Sequence, residues 1–183
     1  MRLGLKLHPD SRCAAATHID VEVAQPRPGH LALHYLVTGK IGDLRMPPMT
    51  TPARTDELWR HTCFEAFVRA PPSPVYYEFN FAPSTQWAVY RFGSYRAEMS
   101  VVDEATPQIE WNSSPEQFGL RAYLNLERLP DLPNDARWHL GLSAVIEETN
   151  GRKSYWALAH PPGGADFHHS DCFALELARA SRP

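Results

Sequence analysis

Acidic and amide side chains occupy strand positions where a plain core strand would carry apolar residues. Side chains alternate over residues 62–69, so Phe64 points to one side of the strand and Glu65 to the other. Glu78 and Asn80 likewise share one face of the next alternating segment. Carboxylates and amides beside aromatic rings could bind a sugar, because its C–H groups stack on rings and its hydroxyls form hydrogen bonds. The alternative is an outer sheet face that is merely in contact with water.

A histidine-rich segment, HPPGGADFHHSD, spans residues 160–171. Histidine and carboxylate ligands suit zinc, but this spacing matches no standard metal signature. His168 and His169 are adjacent, so they would point to opposite sides of an extended segment. We therefore expect a loop without metal that hydrogen-bonds a ligand or holds the preceding strand, with Asp166 and His168 as candidates.

Nucleophilic catalysis finds little support in the residue types and spacing. Cys63 lies two residues from His61 and Glu65, but residues spaced by two along a strand lie in a row and do not converge. Glu65 and Glu78 could face each other across neighbouring strands as glycosidase carboxylates do, yet such pairs suit a binding site equally. No G-x-S-x-G, Walker A or G-x-G-x-x-G motif occurs in the sequence. We expect no catalytic residue.

Short alternating segments separated by turn signals must position these side chains. The predicted strands cover residues 2–8, 18–24, 31–39, 58–69, 75–82, 86–93, 118–126, 138–146, 154–159 and 172–177. Residues 97–116 lack a clear period and are predicted as a loop or a weak edge strand. No helical period is sustained, and Asn150-Gly151 predicts a hairpin turn. The pattern indicates an all-β fold, an antiparallel β-sandwich forming a single domain over residues 1–183.

Composition limits the classes of partner. The 183 residues carry a net charge of -3 without a cluster of Lys and Arg, so we expect no nucleic acid partner. No apolar run reaches about 18 residues, so we expect no membrane partner. The start of the chain lacks the apolar region of a secretory signal, which predicts a cytoplasmic protein. An odd number of cysteines, 3, fits reduced thiols in that compartment.

Three segments, in order, resemble the DOMON-like domains related to family 9 carbohydrate-binding modules. The segments read LWRHTCFEAFVR, YYEFNFAPSTQWAVYRF and WALAHPPGGADFHHSDCFALEL, and together they fall within about residues 55–177. The residues that match the family's motifs are Leu58, Trp59, Glu65, Phe67, Tyr77, Phe79, Pro83, Trp156, Phe167, His168 and Phe173. The chain departs from those motifs at Thr62, where the family has Asp, at Ala82, where it has Asn, and at Ser170, where it has Pro.

The resemblance implies a jelly-roll-like β-sandwich of a bacterial branch of this superfamily, without catalytic activity or a cofactor. In the sugar-binding members, two Trp side chains clamp a terminal sugar and a Glu accepts its hydroxyl hydrogen bonds. Carried over to this chain, the Trp pair falls on Trp59 and Trp156, and the carboxylate on Glu65.

These observations predict a non-catalytic binding domain for a carbohydrate, such as an oligosaccharide, or a similar polar small molecule. Trp59 and Trp156 would stack on the ligand, two glutamates would accept its hydrogen bonds, and Arg91 or His168 would donate. The candidate ligand-binding residues are Trp59, Glu65, Glu78, Asn80, Arg91, Trp156, His160 and His168.

Three other functions remain open at this stage. Haem-binding relatives use a Met and a His as axial ligands, which would pair Met46 or Met49 with a histidine of residues 160–169. A small metal-dependent hydrolase would use His160, His168 and His169. A purely structural or protein-interaction sandwich is favoured if the polar face is convex and flat.

Overall fold

Two antiparallel β-sheets form a sandwich in the computed structural model, which describes residues 1–178. The five-stranded sheet has the order β1 (Arg2–Gly4), β3 (Ala16–Ala24), β4 (His30–Gly39), β10 (Gln117–Asn125) and β9 (Gln108–Ser113). The eight-stranded sheet has the order β2 (Lys6–Leu7), β12 (Lys153–Ala157), β11 (Trp138–Glu147), β5 (Cys63–Arg69), β6 (Tyr76–Phe81), β7 (Trp87–Phe92) and β8 (Ser100–Val101), and β13 (Leu175–Leu177) also pairs with β11. Short 3₁₀ helices span Ile41–Asp43, Leu58–Arg60 and Ser170–Cys172. The prediction of an all-β antiparallel sandwich is confirmed.

The main core lies between the two sheets, where alternate residues of each strand meet. On β5 the inward residues are Phe64, Ala66 and Val68, as strand parity predicted. The Phe64 ring stacks on Phe118 of β10 with centroids 5.9 Å apart. Tyr35 of β4 donates its hydroxyl proton to the backbone oxygen of Glu65 at 2.7 Å, so its polar end is satisfied across the core.

The other face of the eight-stranded sheet is also buried. A second apolar cluster covers it, in which Phe167 and Phe173 pack from the loop that follows β12. Gly141 of β11 permits this approach, because a Cβ there would lie 3.0 Å from the backbone oxygen of Cys172. Of the predicted polar row, Glu65 and Glu78 are therefore buried and do not lie on a face wetted by water.

The segment before β5 is not extended. Residues Leu58–Arg60 form a 3₁₀ turn entered through Glu57 in a left-handed conformation with φ of 62°. The His61 backbone N–H closes this turn by donating to the Leu58 oxygen at 3.1 Å, and β5 begins only at Cys63. The predicted strand over residues 58–69 is therefore wrong at its start, where Trp59 lies in the turn, although Trp59 and Glu65 both line the same cavity.

Two further strand boundaries differ from the predictions. The predicted strand over residues 2–8 divides at Leu5, with β1 in one sheet and β2 in the other. Residues 97–116 contain β8 and β9, and β9 lies at the edge of the five-stranded sheet as a weak edge strand would. Polar side chains are compatible with an edge because one side of that strand faces solvent.

None of the helices within residues 1–178 combines the length and the apolar character that a bilayer crossing requires. All 3 cysteines are free thiols, and Cys63 and Cys172 are buried.

Candidate functional site

A cavity of about 690 Å³ opens on the outer side of the eight-stranded sheet. This volume lies within the range typical of small-molecule sites. Strands β5, β6, β7, β11 and β12 form its floor, and the segments around residues 56–59, 96–99 and 165–168 form its walls. The lining residues are Asp56, Glu57, Trp59, Glu65, Glu78, Tyr90, Phe92, Arg96, Met99, Val145, Lys153, Tyr155, Ala165, Phe167 and His168.

Two glutamates on neighbouring strands form the polar part of the floor. Glu65 is only 3% exposed, and its Oε2 accepts a long hydrogen bond of 3.4 Å from the Ser143 hydroxyl. Its Oε1 is buried without a hydrogen-bond partner among residues 1–178. Glu78 is better satisfied, because its Oε1 accepts a 2.7 Å hydrogen bond from the Asn80 side-chain amide. An unpartnered buried carboxyl oxygen is costly, so Glu65 is the group that a ligand could satisfy.

The pKa of each floor carboxyl is raised above its ordinary value. Burial raises the pKa of Glu65 well above its usual range, and the neighbouring Glu78 raises it further. Burial also raises the pKa of Glu78, although the Asn80 amide opposes that shift by stabilising the ionised form. Two carboxyls this close and this buried can donate as well as accept hydrogen bonds.

A hydrogen-bonded chain fixes the orientation of His168 at the cavity wall. The Arg96 backbone N–H donates to the Tyr76 hydroxyl oxygen at 3.2 Å, and that hydroxyl and His168 Nδ1 share a hydrogen bond of 2.8 Å. Burial lowers the pKa of His168 to about 4, so the ring is neutral near pH 7. Its Nε2 lies 3.6 Å from Glu78 Oε2, which places the ring beside the floor carboxyls.

Aromatic rings make up much of the remaining lining. Trp59 is 47% exposed, an unusual fraction for so large an apolar ring, and the Arg60 guanidinium lies 5.5 Å from its centroid. Tyr90 is held in place because its hydroxyl donates to Asp56 Oδ1 at 2.6 Å. Phe92 and Tyr155 complete the apolar surface beside the glutamates. Such a mixture of flat rings and hydrogen-bonding groups matches the two surfaces of a sugar.

Asp166 ties together the two loops that form one wall. Its Oδ1 accepts a 2.7 Å hydrogen bond from the Arg96 guanidinium, and its Oδ2 accepts one from the Tyr95 hydroxyl. The backbone N–H of His168 also donates to Oδ1 at 3.2 Å. The loop at residues 93–99 is therefore fastened to the loop that carries His168.

We expect Asp166→Ala to loosen this wall. The free energy of unfolding should fall by about 1 kcal/mol, since the contact is only partly shielded from solvent. Amide hydrogen exchange over residues 94–99 should accelerate more than elsewhere, because the variant removes their anchor. Asp171→Ala is the matched control, since Asp171 is exposed and contacts only His169 as an ion-pair partner. Equal exchange rates in the two variants would contradict this role for Asp166.

The structure brings half of the sequence-predicted ligand-binding residues to the cavity. Trp59, Glu65, Glu78 and His168 line it. Asn80 lies fully buried beneath the floor, where it orients Glu78.

Trp156 does not line the cavity, so the predicted clamp of Trp59 with Trp156 is wrong. The Trp156 ring is 5% exposed within the core between the sheets, and its Nε1 donates to the Ser154 hydroxyl at 3.1 Å. Strand alternation is the reason, since Trp156 and its neighbour Tyr155 point to opposite faces of β12. Tyr155 is the residue of this strand that faces the cavity.

Arg91 and His160 also lie elsewhere. Arg91 follows Tyr90 on β7 and so points to the opposite face, where its Nε donates to Asp131 Oδ2 at 2.7 Å. His160 packs edge-on against His8, and its Nε2 lies 2.8 Å from the backbone oxygen of Lys6. Both side chains hold neighbouring segments in place, so neither serves as a donor in this cavity.

The geometry does not assemble the alternative haem or metal ligands. Met46 packs against the core between the sheets and Met49 is exposed, so neither joins His168 in the cavity. His169 lies beside Tyr95 and does not line the cavity. Within residues 1–178, no group of three or more His, Cys, Asp or Glu side chains is arranged to hold a metal ion.

Several lining residues were missed from the sequence. The alternation of β7 already placed Tyr90 and Phe92 on one face, and the same pattern in β12 separates Tyr155 from Trp156. Arg96 and Met99 lie in an irregular loop whose position depends on contacts made about 70 residues away, such as that between Arg96 and Asp166. No periodic signal could have indicated those two residues.

Comparison with known proteins finds no matching family model and no matching curated protein. Among solved structures, the fold resembles a candidate carbohydrate-binding protein from Bacteroides uniformis, with a TM-score of 0.63 and 12% identity over 91% of this chain and 82% of that chain. It also resembles a family 9 carbohydrate-binding module from Caldicellulosiruptor kristjanssonii in complex with glucose, with a TM-score of 0.56 and 11% identity over 98% of this chain and 86% of that chain. A third solved structure is a family 9 module from the same organism in complex with cellotriose. Its TM-score is 0.50, and it is 10% identical over 87% of this chain and 74% of that chain. At these identities the likeness establishes the sandwich fold.

Proposed function

We propose that this chain is a non-catalytic binding domain for a carbohydrate or a similar polar small molecule. The observation that carries the proposal is the cavity that a half-exposed Trp59 lines together with the buried carboxyls of Glu65 and Glu78. The ring offers a stacking surface, and Glu65 Oε1 offers a hydrogen-bonding group without a protein partner. The solved structures of similar fold that hold glucose and cellotriose support the same ligand class.

We also propose that the chain is a branch of the DOMON-like superfamily, as the LWRHTCFEAFVR segment suggested. Its family-like residues Trp59 and Glu65 line the cavity, which supports the proposal. Thr62, where the family has Asp, donates its hydroxyl proton to the Arg45 backbone oxygen at 2.9 Å. This hydrogen bond joins the segment before β5 to the chain that follows the 3₁₀ helix Ile41–Asp43. Thr62 does not line the cavity. Tyr155, next to Trp156 on β12, is one of the other rings of the cavity that a ligand could stack on.

We expect Trp59→Ala to weaken sugar binding by at least about tenfold, because a half-exposed ring at a binding surface contributes mainly to ligand contact. Calorimetric titration against a panel that includes glucose and cellotriose measures this effect. Trp111→Ala is the matched control, since Trp111 is 36% exposed on the five-stranded sheet, away from the cavity. An absence of binding across the panel, or an equal loss in both variants, would contradict the proposal.

A further inference from the structure

The charged groups around the cavity are paired near its mouth and unpaired at its floor. Asp56 forms an ion pair with Arg54 at 2.6 Å, and Glu57 forms one with Arg60 at 2.7 Å. Of the cations, Arg96 forms an ion pair with Asp166 at 2.7 Å, and its positive charge also opposes the raised pKa of Glu78. Apart from Lys153, the charged side chains of the rim therefore form ion pairs with one another or with neighbouring residues.

Glu65 and Glu78 have no Lys or Arg as an ion-pair partner among the described residues, although the more distant Arg96 charge acts on Glu78. Within residues 1–178, no Lys or Arg side chain lies within ion-pair distance of either floor carboxyl. The nearest basic group is His168, 3.6 Å from Glu78, and it is neutral because burial lowers its pKa to about 4. Two buried carboxyls without a cation are a costly arrangement unless a proton or a bound cation neutralises them.

The floor also contains an atom that a cationic donor could satisfy. Glu65 Oε1 is buried and has no hydrogen-bond partner among the described residues. The rings of Trp59, Tyr90 and Tyr155 line the same cavity, and aromatic faces attract ammonium groups as well as the C–H faces of sugars. Lys153 is the one lining cation without an ion pair in the described chain, and it lies among the exposed residues. It is therefore placed in solvent and not at the floor.

We propose that the ligand is a sugar bearing a protonated amino group, whose ammonium binds between the carboxylates of Glu65 and Glu78 while its ring stacks on Trp59. This inference rests on the proposed function and names its ligand class. A neutral sugar would satisfy the hydrogen-bonding capacity of Glu65 Oε1 but would bring no positive charge to the two acids. An amino sugar satisfies both requirements with one group.

Binding of such a ligand exchanges a proton for the ammonium. In the free protein, burial and Glu78 raise the pKa of Glu65, which favours its protonated form. The other titratable groups that face Glu65 are Cys63 on its own strand and Tyr35 of β4, and both stay neutral because burial raises their pKa. The incoming ammonium favours the carboxylate, so the O–H bond of Glu65 breaks and its proton passes to the buffer. Complex formation therefore releases up to one proton per ligand.

The test titrates the whole chain with three related sugars near about pH 7, where amino groups are largely protonated. Glucosamine carries the ammonium, glucose carries a hydroxyl at that position, and N-acetylglucosamine carries a neutral amide. We expect glucosamine to bind at least about tenfold more tightly than the other two. Titration in buffers of different ionisation enthalpy should show proton release with glucosamine alone.

Glu65→Gln separates charge from shape, because the amide keeps the size of the side chain and removes its ionisation. The preference for glucosamine and the proton release should both disappear in this variant. Glu110→Gln, at an exposed position of β9, should leave both unchanged. Glucose binding without a glucosamine preference would overturn the inference and leave the proposed function standing. A failure of all three sugars to bind would also overturn it, and the wider sugar panel with Trp59→Ala then decides the proposed function separately.

Discussion

Phe64→Ala is expected to lower the free energy of unfolding by about 3–5 kcal/mol, the range for removing a large buried ring. Phe64 is fully buried near the start of β5, between the two sheets. The centroid of its ring lies 5.9 Å from that of Phe118 on β10 and 5.1 Å from that of Tyr35 on β4. Truncation would open a cavity at this contact between sheets, and strands held on both sides can close it only in part.

Chemical denaturation monitored by circular dichroism measures this loss. Tyr123→Ala is the control, because that ring is 42% exposed on the outer side of the five-stranded sheet. We expect its effect to stay within about 0.5 kcal/mol. A loss below about 1 kcal/mol for Phe64→Ala would show that the sheets do not depend on this contact.

The free energy of unfolding of Glu65→Gln, relative to that of the wild type, is expected to increase as pH rises above the ordinary glutamate pKa of 4.5. In the unfolded chain Glu65 ionises above that pH, whereas burial keeps it protonated in the folded chain. The folded state then binds more protons, so the stability of the wild type falls as pH rises toward the raised folded-state pKa. Below pH 4.5 both states hold the proton and the group has no effect. Glutamine cannot ionise, so the variant lacks this loss.

The difference in the free energy of unfolding between Glu65→Gln and the wild type should grow by up to about 1.4 kcal/mol per pH unit, the limit for one proton. Denaturant unfolding at several pH values between about 5 and 8 measures it. Carboxyls with lowered pKa, such as Asp131 and Asp166, lose stabilising interactions in acid in both proteins and cancel in the difference. Glu110→Gln, at an exposed position of β9, is the control variant. A pH-independent difference for Glu65→Gln would mean that Glu65 is not a buried neutral acid.

Strand alternation predicted the sandwich well because each side-chain face follows from a period of two. It placed Phe64 in the core and Glu65 on the opposite face, and both placements hold. The same rule, applied to neighbouring residues, separates Tyr155 from Trp156 and Tyr90 from Arg91. The predicted roles of Trp156 and Arg91 were wrong because each side chain points to the strand face opposite the cavity.

Alternation could not show that the face of Glu65 would be covered. Phe167 and Phe173 reach that face from a loop about 100 residues farther along the chain, and their positions depend on tertiary contacts such as the close approach at Gly141. Trp59 was likewise assigned to a strand, because nothing in the sequence signalled the left-handed Glu57 that turns the chain. The cavity exists because these loops enclose it, so its burial and its pKa shifts lay beyond sequence reasoning.

A crystal structure with the tightest-binding sugar of the panel tests the central claim most directly. We expect the sugar ring to lie against Trp59 in the cavity, with one of its polar groups within hydrogen-bond distance of Glu65 Oε1. The same crystals of Trp59→Ala should show no sugar at that concentration. A sugar bound elsewhere, such as on the outer side of the five-stranded sheet beside Tyr123, with none in the cavity, would contradict the account.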